Sequence, residues 1–536
     1  MLDALTMDYA LTVPALLRRA RAHFRTKRIT SRQADGTLTR TTYDALLTRA
    51  GRLAAALRRL GVQDGEPVAT LCWNHDRHLE AYYAIPAMGA VLHPLNLRPS
   101  AAELGHVVRE AGNRVLLVDA ELVPLAEGFL AESAITTVVV LGGGAVRHPG
   151  WLDYDALVDA ATEPLDLGAM ELAETRAAAM CHTSGTTGHA KGVVYSHRAL
   201  VLHSLALATA DLFGLREADV ILPAVAMFHA NAWGLPYAAA MVGADLVLPG
   251  AHLDARGLRT LLAGERVTFT AGVPTIWLAL LELLDAEPGA VDLSTLRMVV
   301  VGGAPMPQAL LDGLEGRHGV PLHHSWGMTE LAPVGTLNRV PTWGAADPSY
   351  RTWAGTPGPF LEVRARGEAG LVPWDGESAG ELEVRGPTVA AGYLGQGAPP
   401  ASFTPDGWFR TGDVVTIDPH GTLRLRDRAK DLVKSGGEWI SSVALEVALM
   451  NHPAVLEAAV VAVPHPKWIE RPLAAIVLRG GATVTDAELA DHLTASCPRW
   501  WVPDAFVRLD AIPRTSTGKF QKTALRERFR HHYAAP

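Results

Sequence analysis

Short apolar runs rich in β-branched residues alternate with longer amphipathic stretches through most of the chain. The runs cover residues 114–119, 137–141, 246–249, 267–271 and 298–301. Between them lie helical patterns such as residues 46–60, where leucines recur at helical spacing. Strands that are apolar on both faces belong in parallel sheets covered by helices. The alternation therefore predicts an α/β body.

The pattern changes near residue 380, where polar and apolar residues begin to alternate. Residues 380–385 (GELEVR) and 422–428 (TLRLRDR) have the period-two alternation of half-exposed antiparallel strands. The charged segment 427–431 (DRAKD) follows and is a candidate hinge. The sequence predicts an N-terminal domain over residues 1–426 and a small α+β unit over residues 432–536.

The composition argues against several classes of protein. A net charge of −8 and 6% aromatic residues disfavour nucleic-acid binding. The three cysteines lie far apart, without the spacing of a disulfide framework, which indicates a reducing compartment. The uncharged segment 220–244 contains Pro223 and Pro236, so a buried hairpin or βα unit fits it better than a membrane span. With no signal peptide evident, we expect a cytoplasmic enzyme without integral membrane association.

The densest chemical signal is the segment 183–192 (TSGTTGHAKG). It lies between the apolar run 177–181 and the strand-like residues 193–195. Backbone N–H groups, hydroxyls and one lysine, with little steric bulk, are what a triphosphate requires. The segment is not a Walker A loop, because Ala190 precedes the lysine and Gly192 follows it. We predict a phosphate-binding loop.

Three weaker motifs follow along the chain. Thr329 and Glu330 place a hydroxyl beside a carboxylate, which can hold Mg²⁺ together with a phosphate oxygen, although such a pair can also begin a helix. Asp413 lies on a tight turn (WFRTGD), and its carboxylate could chelate two vicinal hydroxyls. Lys519 ends a glycine-tipped loop (PRTSTGK). Each motif alone is also typical of an ordinary turn or surface loop.

In this order and spacing, the four motifs resemble those of the adenylate-forming superfamily of acyl-CoA synthetases, firefly luciferases and nonribosomal-peptide adenylation domains. The resemblance covers residues 12–530, and its nearest parallels are bacterial medium- and long-chain fatty-acyl-CoA synthetases and methylmercaptopropionate-CoA ligases. The matching segments are residues 192–204, 227–243, 433–442 and 462–472. The resemblance implies an α/β fold with a large N-terminal domain of βα sheets, a small β-barrel-like subdomain, and a smaller, mobile α+β C-terminal domain.

The resemblance also implies a reaction in two steps. A small-molecule carboxylic acid and MgATP give acyl-AMP and pyrophosphate, and coenzyme A then displaces AMP to form a thioester. Because two anions must be brought together, preorganised positive charge is expected to dominate catalysis. ATP, Mg²⁺ and coenzyme A are thus the expected cofactors, and a homodimer is expected from relatives that form one.

The site residues are predicted by transferring the roles known in the family to the matching positions of this sequence. The resemblance implies that the catalytic residues are Lys519, Thr183, Glu330 and His229. Thr183 and Glu330 are also expected to bind Mg²⁺. The residues expected at the phosphates are Thr183, Ser184, Gly185, Thr186, Thr187, Gly188, Lys191 and Thr329. Those expected at the nucleoside are Gly303, Ala304, Pro305, Trp326, Gly327, Met328, Asp413 and Arg428. Trp326 is expected near the adenine, and Asp413 on the ribose hydroxyls with help from Arg428.

The same resemblance gives a second set of roles for the acid and the thiol. The acid pocket is assigned to His229, Asn231, Trp233 and Gly327, with Trp233 as the gate of a fatty-acid tunnel or, alternatively, as ordinary core packing. The C-terminal domain would turn about residues 427–431 between the two steps and withdraw Lys519. The residues that would then shape a pantetheine tunnel are Lys434, Gly436, Gly437, Glu438 and Trp439.

Three alanines depart from the usual family pattern: Ala190 in the phosphate loop, and Ala226 and Ala230 beside the pocket histidine. They leave the reaction type intact but put the acid's identity in doubt. The alternative is a secondary-metabolism homologue that adenylates an unusual acid, such as an aryl acid or nitrite for diazotisation. A third hypothesis is an acyl-AMP ligase that serves a carrier protein, although the insertion usual before its C-terminal domain is not evident.

Functions of other classes have weaker support. An acyl hydrolase would need a Gly-x-Ser-x-Gly motif, which the sequence lacks. A catalytically dead binding protein would be expected to lose Lys519 or the phosphate loop. A metal site built on His75 and His78 lacks carboxylates at ligand spacing, so we expect these two to be surface histidines.

Overall fold

The computed structural model describes residues 6–142, 148–183, 190–339, 348–436, 438–514 and 520–533. Of the predicted site residues, Ser184, Gly185, Thr186, Thr187, Gly188, Gly437 and Lys519 lie outside the described residues, and Glu438 is described by its backbone alone.

The strands, in chain order, are β1 Arg28–Arg32, β2 Leu38–Thr42, β3 Pro67–Leu71, β4 Val91–Pro94, β5 Val115–Asp119, β6 Thr137–Leu141, β7 Leu152–Asp153, β8 Ala177–His182, β9 Gly192–Ser196, β10 Val220–Pro223, β11 Asp245–Leu248, β12 Phe269–Gly272, β13 Met298–Gly302, β14 Leu322–Ser325, β15 Thr336–Leu337, β16 Thr356–Pro357, β17 Glu362–Gly367, β18 Gly370–Leu371, β19 Gly380–Arg385, β20 Phe409–Ile417, β21 Leu423–Arg428, β22 Val433–Ser435, β23 Glu438–Ile440, β24 Val455–His465, β25 Ile469–Leu478 and β26 Ala505–Arg508.

The helices, in chain order, are α1 Val13–His23, α2 Tyr43–Arg59, α3 Asp76–Ala87, α4 Ala101–Ala111, α5 Val123–Leu130, α6 Tyr154–Asp159, α7 His197–Ala208, α8 Ala230–Trp233, α9 Leu235–Val242, α10 Ala255–Gly264, α11 Pro274–Ala286, α12 Gln308–Leu311, α13 Ser442–Met450, α14 Asp486–Thr494 and α15 Lys522–Phe529.

Local sequence signals account for several helix ends. Ser100 and Glu103 form a capping box at the start of α4, and Gly112 ends that helix with a φ of 70°. Thr485 and Glu488 form a second capping box at the start of α14. These side chains satisfy backbone N–H groups that have no partner within the helix.

Two seven-stranded sheets form the α/β body. One has the order β14-β13-β12-β10-β11-β1-β2 and the other β7-β6-β5-β3-β4-β8-β9. Pairing is parallel except at one edge of each sheet, where β1–β2 and β8–β9 are antiparallel. Strands such as β5 and β13 are buried along their whole length, as expected for parallel strands with helices on both faces. The predicted α/β body is confirmed.

Smaller sheets follow the body, and their pairing is antiparallel except between β25 and β26, which are parallel. The subdomain expected to be barrel-like contains a five-stranded sheet of order β18-β17-β19-β20-β21, in which β19 has the bounds predicted for it. The C-terminal domain has the sheet β23-β22-β25-β24, with β26 beside β25. Its helices α13 and α15 pack on β24. The C-terminal chain is thus an α+β domain, as predicted.

The uncharged segment 220–244 runs through β10, α8 and α9 inside the body, so the predicted βα unit is confirmed. Among the described helices, none is both long enough and apolar enough to cross a membrane.

The prediction that His75 and His78 lie at the surface is wrong. His78 is fully buried, and burial lowers its pKa to about 4. His75 Nε2 lies 2.8 Å from Asp119 Oδ1, and His75 Nδ1 accepts the His78 N–H at 3.2 Å. His75 therefore caps α3 and ties it to the end of β5. Cys72 lies beside His75 and Asp119, and the three side chains are close enough to hold a metal ion. The ring nitrogens of His75 and the carboxylate oxygens of Asp119 already form hydrogen bonds within the protein, however, so we assign no metal site here.

Candidate active site

A cavity of about 360 Å³ opens between the α/β body and the five-stranded sheet. Its lining brings together residues from three of the four sequence motifs, which are far apart in the chain. The predicted residues in the lining are Thr183, Lys191, His229, Trp233, Gly303, Gly327, Met328, Thr329, Glu330 and Arg428.

The predicted phosphate loop leaves β8 and returns into β9, at the edge of the second sheet. The Thr183 N–H donates to the Lys191 carbonyl at 2.9 Å, and the Lys191 N–H donates to Thr183 Oγ1 at 3.1 Å. The loop is therefore closed at its base by its first and last predicted residues. Lys191 Nζ lies 4.6 Å from the centroid of the Tyr393 ring, so its cation faces an aromatic surface within the cavity.

Thr329 and Glu330 begin a short buried turn on the opposite wall. The Tyr393 hydroxyl donates to Glu330 Oε1 at 2.8 Å, and the Tyr195 hydroxyl donates to the Thr329 carbonyl at 2.7 Å. Gly327, just before them, must be glycine, because an added Cβ would lie 2.3 Å from the Pro333 carbonyl oxygen. The carboxylate of Glu330 is thus held at a fixed place in the cavity that Thr183 and Lys191 also line.

Asp413 lies on β20, opposite Arg428 on β21. Arg428 Nε is 3.0 Å from Asp413 Oδ1, and Trp326 Nε1 donates to Asp413 Oδ2 at 2.8 Å. The Asp413 charge raises the pKa of Arg428 above its usual value, against the opposing effect of burial. Trp326 is buried and packs against Gly335. Neither Trp326 nor Asp413 is among the residues that line the cavity, so the structure places both of these predicted nucleotide residues behind its wall.

The predicted acid pocket is built around an unusual turn. The four residues of α8, from Ala230 to Trp233, all have positive φ values between 44° and 55°. This left-handed conformation is unfavourable for residues other than glycine. The turn presents Trp233 to the cavity, with its ring so close to Gly302 that an added Cβ would lie 2.9 Å from Cη2.

Asn231, in the middle of this turn, points away from the cavity lining. It is 1% exposed, and its Oδ1 accepts a 3.7 Å hydrogen bond from the Cys181 thiol. Its Nδ2 has no partner among the described residues. The structure therefore brings His229 and Trp233 of the predicted pocket to the cavity and sets Asn231 behind them.

A second cavity, of about 800 Å³, lies between the body and the C-terminal domain. Thr183, Gly303, Ala304, Pro305 and Arg428 line it from the N-terminal side. From the other side come residues of the C-terminal domain, including Arg514 and Phe520, which flank residues 515–519. Arg514 and Phe520 thus line the same cavity as Gly303, Ala304 and Pro305, which the resemblance assigns to the nucleoside.

The residues expected at a pantetheine tunnel lie on the β22–β23 hairpin. Trp439 is 48% exposed, and Lys434 Nζ lies 5.3 Å from the centroid of its ring. Gly436 packs beside Trp468. None of the described residues of this hairpin lines either of the two cavities.

Sequence reasoning missed Tyr393 and Tyr195, which orient the Glu330 turn. Each is a single aromatic residue without a motif of its own, and Tyr393 is 63 positions from Glu330. Only a contact prediction between distant positions could have found them.

A chain of side-chain hydrogen bonds behind the phosphate loop was also missed. His93 Nε2 lies 3.0 Å from His182 Nδ1, and His182 Nε2 lies 3.2 Å from Glu110 Oε2. Asn113 Oδ1 holds His93 Nδ1 at 2.8 Å. Burial lowers the pKa of His182 to about 2, assisted by His93 and His106. His182, the residue before Thr183, lies within this chain, which therefore holds the end of β8 in place.

Comparison with known proteins identifies the family. The model of the AMP-binding enzyme family matches residues 17–394, and the model of the AMP-binding enzyme C-terminal domain matches residues 444–519. The chain belongs to the AMP-binding enzyme family. It is therefore an enzyme of the adenylate-forming type, in agreement with the resemblance read from its motifs.

Individual relatives span the whole chain. A long-chain-fatty-acid–CoA ligase of Thermus thermophilus is 47% identical, covering 98% of this chain and 97% of the relative. A 3-methylmercaptopropionyl-CoA ligase of Ruegeria lacuscaerulensis is 39% identical, covering 98% of each. The structure of an anthranilate CoA ligase in complex with anthranoyl-AMP is 26% identical, with a TM-score of 0.87 over 99% of both chains.

These likenesses establish the reaction type. The protein is an ATP-dependent acid–CoA ligase. It converts a carboxylate and ATP into acyl-AMP and pyrophosphate, and then acyl-AMP and coenzyme A into a thioester and AMP.

Proposed function

We propose that the acid is a fatty acid and that the protein is a fatty-acyl-CoA synthetase. The observation that carries this proposal is the apolar wall beside His229, where Trp233, Met328, Pro333 and Val334 line the first cavity. No described carboxylate other than Glu330 and Glu381 lines that cavity. An apolar acyl tail gains about 0.8 kcal/mol per methylene buried against such a wall. The fatty-acid relative, 47% identical, supports the same assignment.

We further propose that the loop between Thr183 and Lys191 binds the β- and γ-phosphates, and that Asp413 and Arg428 bind the ribose. Lys519 bridges the carboxylate and the α-phosphate in the first step. Support comes from the lining of the first cavity, which contains Lys191, the hydroxyls of Thr183 and Thr329, and the Glu330 carboxylate. Removing one such oxyanion donor typically lowers the rate by about 10²–10³.

Mg²⁺ fits the donors on this wall. Thr183, Thr329 and Glu330 offer hydroxyl and carboxylate oxygens, the hard ligands that Mg²⁺ prefers, and Glu330 is 7% exposed. We propose Thr183 and Glu330 as its protein ligands. When bound, the ion would neutralise phosphate charge, and the hydrogen bond from Tyr393 would hold the Glu330 carboxylate in place.

We propose the domain boundaries at residues 1–426, 427–431 and 432–536. Support comes from Asp427, whose Oδ2 accepts the Ser442 N–H at 2.5 Å and so joins the end of β21 to α13. Rotation about this segment would withdraw Lys519 and bring in the β22–β23 hairpin for the coenzyme A step. The relevant hairpin residues are Lys434, Gly436, Gly437, Glu438 and Trp439.

We also propose a cytoplasmic location, supported by the buried, unpaired thiols of Cys72 and Cys181. A homodimer stays a prediction, and light scattering across protein concentrations would test it.

The test is carboxylate-dependent ATP–pyrophosphate exchange without coenzyme A. The panel contains saturated acids of increasing length, methylthiopropionate, aryl acids and nitrite. Lys519→Ala should abolish exchange, whereas Lys467→Ala, on the same domain but outside both cavities, should not. Exchange that peaks on a saturated chain supports the proposal, and coenzyme A then tests thioester formation.

Two outcomes would count against the proposal. Exchange with aryl acids or nitrite alone would show that the substrate is an acid of the alternative class and not a fatty acid. Unchanged exchange in Lys519→Ala would remove the role proposed for that lysine.

A further inference from the structure

A buried set of hydrogen bonds connects the two sides of the candidate hinge. Backbone pairing with the five-stranded sheet continues through Arg428 to Ala429, whose N–H donates to the Gly412 carbonyl at 2.9 Å. Asp427 therefore belongs to the N-terminal side of the hinge. The C-terminal sheet begins at Val433, so any rotation of the C-terminal domain must turn the chain between Ala429 and Val433.

The carboxylate of Asp427 reaches across the hinge to the start of α13. It accepts the Ser442 N–H at 2.5 Å, the Ser442 hydroxyl at 2.8 Å and the Val443 N–H at 3.3 Å. These N–H groups have no partner inside the helix, and a negative charge at this end is also favoured by the helix dipole. Asp427 is 4% exposed, so the bonds are shielded from water.

Lys522, at the start of α15, continues this set of bonds inside the C-terminal domain. Its Nζ donates to Ser442 Oγ at 2.7 Å and lies 2.7 Å from Glu446 Oε1. The Ser442 hydroxyl thus accepts from Lys522 and donates to Asp427. Burial raises the pKa of Asp427, against the lowering effect of the Lys522 charge. We call Asp427, Ser442 and Lys522 the hinge cluster.

A rotation of the domain would break only some of these contacts. Lys522 and Glu446 lie on α15 and α13, which both pack on β24, so their ion pair is kept when the domain turns. The bonds of Asp427 join the two domains and are lost. The Ser441 hydroxyl also donates across the hinge, to the Arg426 carbonyl at 2.5 Å. The charged contact of Asp427 therefore favours the described arrangement over a rotated one.

The described arrangement corresponds to the first step in the proposed function. Arg514 and Phe520 line the second cavity together with Ala304 and Pro305. None of the described residues of the β22–β23 hairpin, which is proposed for the coenzyme A step, lines either cavity. Contacts that hold this arrangement therefore favour adenylation.

We propose that Asp427, Ser442 and Lys522 are positioning residues that hold the C-terminal domain for adenylation and so set the balance between the two steps of the reaction. This inference rests on the proposed function, including the position of the hinge. Because the bonds of Asp427 form in only one of the two arrangements, weakening them shifts the population toward the other. Adenylation should then become slower, whereas thioester formation should not.

The first experiment measures the two steps separately on the full chain. Adenylation is followed as ATP–pyrophosphate exchange with the best acid and no coenzyme A, and thioester formation is followed from preformed acyl-AMP and coenzyme A. Asp427→Asn keeps the shape but offers one acceptor oxygen instead of two, and Ser442→Ala removes the hydroxyl that links Asp427 to Lys522. Each should lower kcat for exchange about 10-fold, as expected for one hydrogen bond to a charged group, without slowing thioester formation.

Asp504→Asn is the matched control. Asp504 pairs with Arg471 at 2.8 Å, and both residues lie in the C-terminal domain, so this variant also loses a carboxylate but no contact across the hinge. The ratio of its two rates should equal that of the wild type. If Asp427 and Ser442 act through each other, the double variant should slow exchange no more than Asp427→Asn alone.

The second experiment needs no substrate. Hydrogen–deuterium exchange of a peptide that contains the Ser442 and Val443 amides reports whether Asp427 holds the start of α13. These amides should exchange faster in Asp427→Asn than in the wild type, whereas those of β25 should be unchanged. Thermal melting shows whether each variant is folded, and Ser442→Ala decides the question if Asp427→Asn is not.

Two results would overturn the inference. One is an unchanged ratio of the two rates in Asp427→Asn and Ser442→Ala, and the other is an equal slowing of both steps, which would indicate a general structural role. A wild-type protein that exchanges with no acid contradicts the proposed function instead. Deuterium uptake then still decides the contact, since equal uptake at Ser442 and Val443 in wild type and Asp427→Asn would overturn it.

Discussion

The indole of Trp326 donates a 2.8 Å hydrogen bond to Asp413 across 87 positions of sequence. Arg428 holds the other oxygen of the same carboxylate at 3.0 Å. Asp413 is only 4% exposed, so these two partners fix the plane of its carboxylate before any ligand arrives. In the proposed contact of Asp413 with the ribose hydroxyls, such a preorganised acceptor would have no ordering cost.

Trp326→Phe should therefore weaken nucleotide binding while keeping the packing. A lost hydrogen bond to a charged group corresponds to about 1.5–3 kcal/mol, so the KM for ATP should rise about tenfold or more. Trp353→Phe is the matched control, because the buried Trp353 Nε1 has no partner among the described residues. If both variants raise the KM equally, the Asp413 bond is not the cause.

Tyr393→Phe should weaken the use of Mg²⁺ by the enzyme. The change removes the hydroxyl that orients Glu330 but keeps the ring that faces Lys191. Losing such an outer partner of a metal ligand typically lowers affinity 10- to 100-fold, so half-maximal exchange should need correspondingly more Mg²⁺. Tyr237→Phe also removes one buried hydroxyl, but away from the cavities, and should leave the Mg²⁺ titration unchanged.

Trp233→Leu should shift acid preference toward longer chains. The Trp233 ring fills the space beside Gly302 in a cavity of about 360 Å³, near the lower end for ligand pockets. Each methylene that enters the freed space should add about fourfold to kcat/KM. The exchange rate with the shortest active acid, measured on the same variant, is the internal control. An unchanged length profile would mean that Trp233 only fills the core.

The pair Glu446–Lys522 should make folding stability depend on pH. Burial raises the pKa of Glu446 to about 7, against the lowering effect of Lys522, whose Nζ lies 2.7 Å away. Asp427 also faces the pair and raises the pKa of Glu446 further. Between pH 4.5, the ordinary pKa, and about pH 7, the folded protein keeps a proton that the unfolded chain releases. The free energy of unfolding must then fall as pH rises through this window.

Urea unfolding at pH 5 and pH 8 tests whether the free energy of unfolding falls as the pH rises. Wild type should lose stability relative to Glu446→Gln between the two values, because glutamine cannot ionise. A difference that is the same at both pH values would show that Glu446 does not titrate in this range.

Much of the framework follows from local patterns. The run 137–141 and the segment 380–385 coincide with β6 and β19, because side-chain alternation and burial set strand bounds directly. The left-handed turn of α8 could not be predicted, since Ala230, Asn231, Ala232 and Trp233 give no local sign of positive φ. Packing from distant segments imposes it.

In the candidate site, too, local motifs predicted some residues, whereas contacts between distant segments could not be predicted. The motifs predicted Thr183 and Glu330 because a hydroxyl and a carboxylate suit a phosphate and Mg²⁺, whereas Arg428 was predicted from the family resemblance alone. The hydrogen bond from Tyr393 to Glu330 joins positions 63 apart, and no spacing in the sequence records it.

The predicted phosphate loop connects the two strands of a β-hairpin, and this position affects how the length of the loop can vary among related enzymes. β8 and β9 form the antiparallel edge of an otherwise parallel sheet, and the loop is closed at its base by Thr183 and Lys191. Lengthening such a loop costs little free energy, since closure entropy grows only with the logarithm of length. The segment proposed to bind phosphate can thus differ in length between relatives while β8 and β9 keep their pairing.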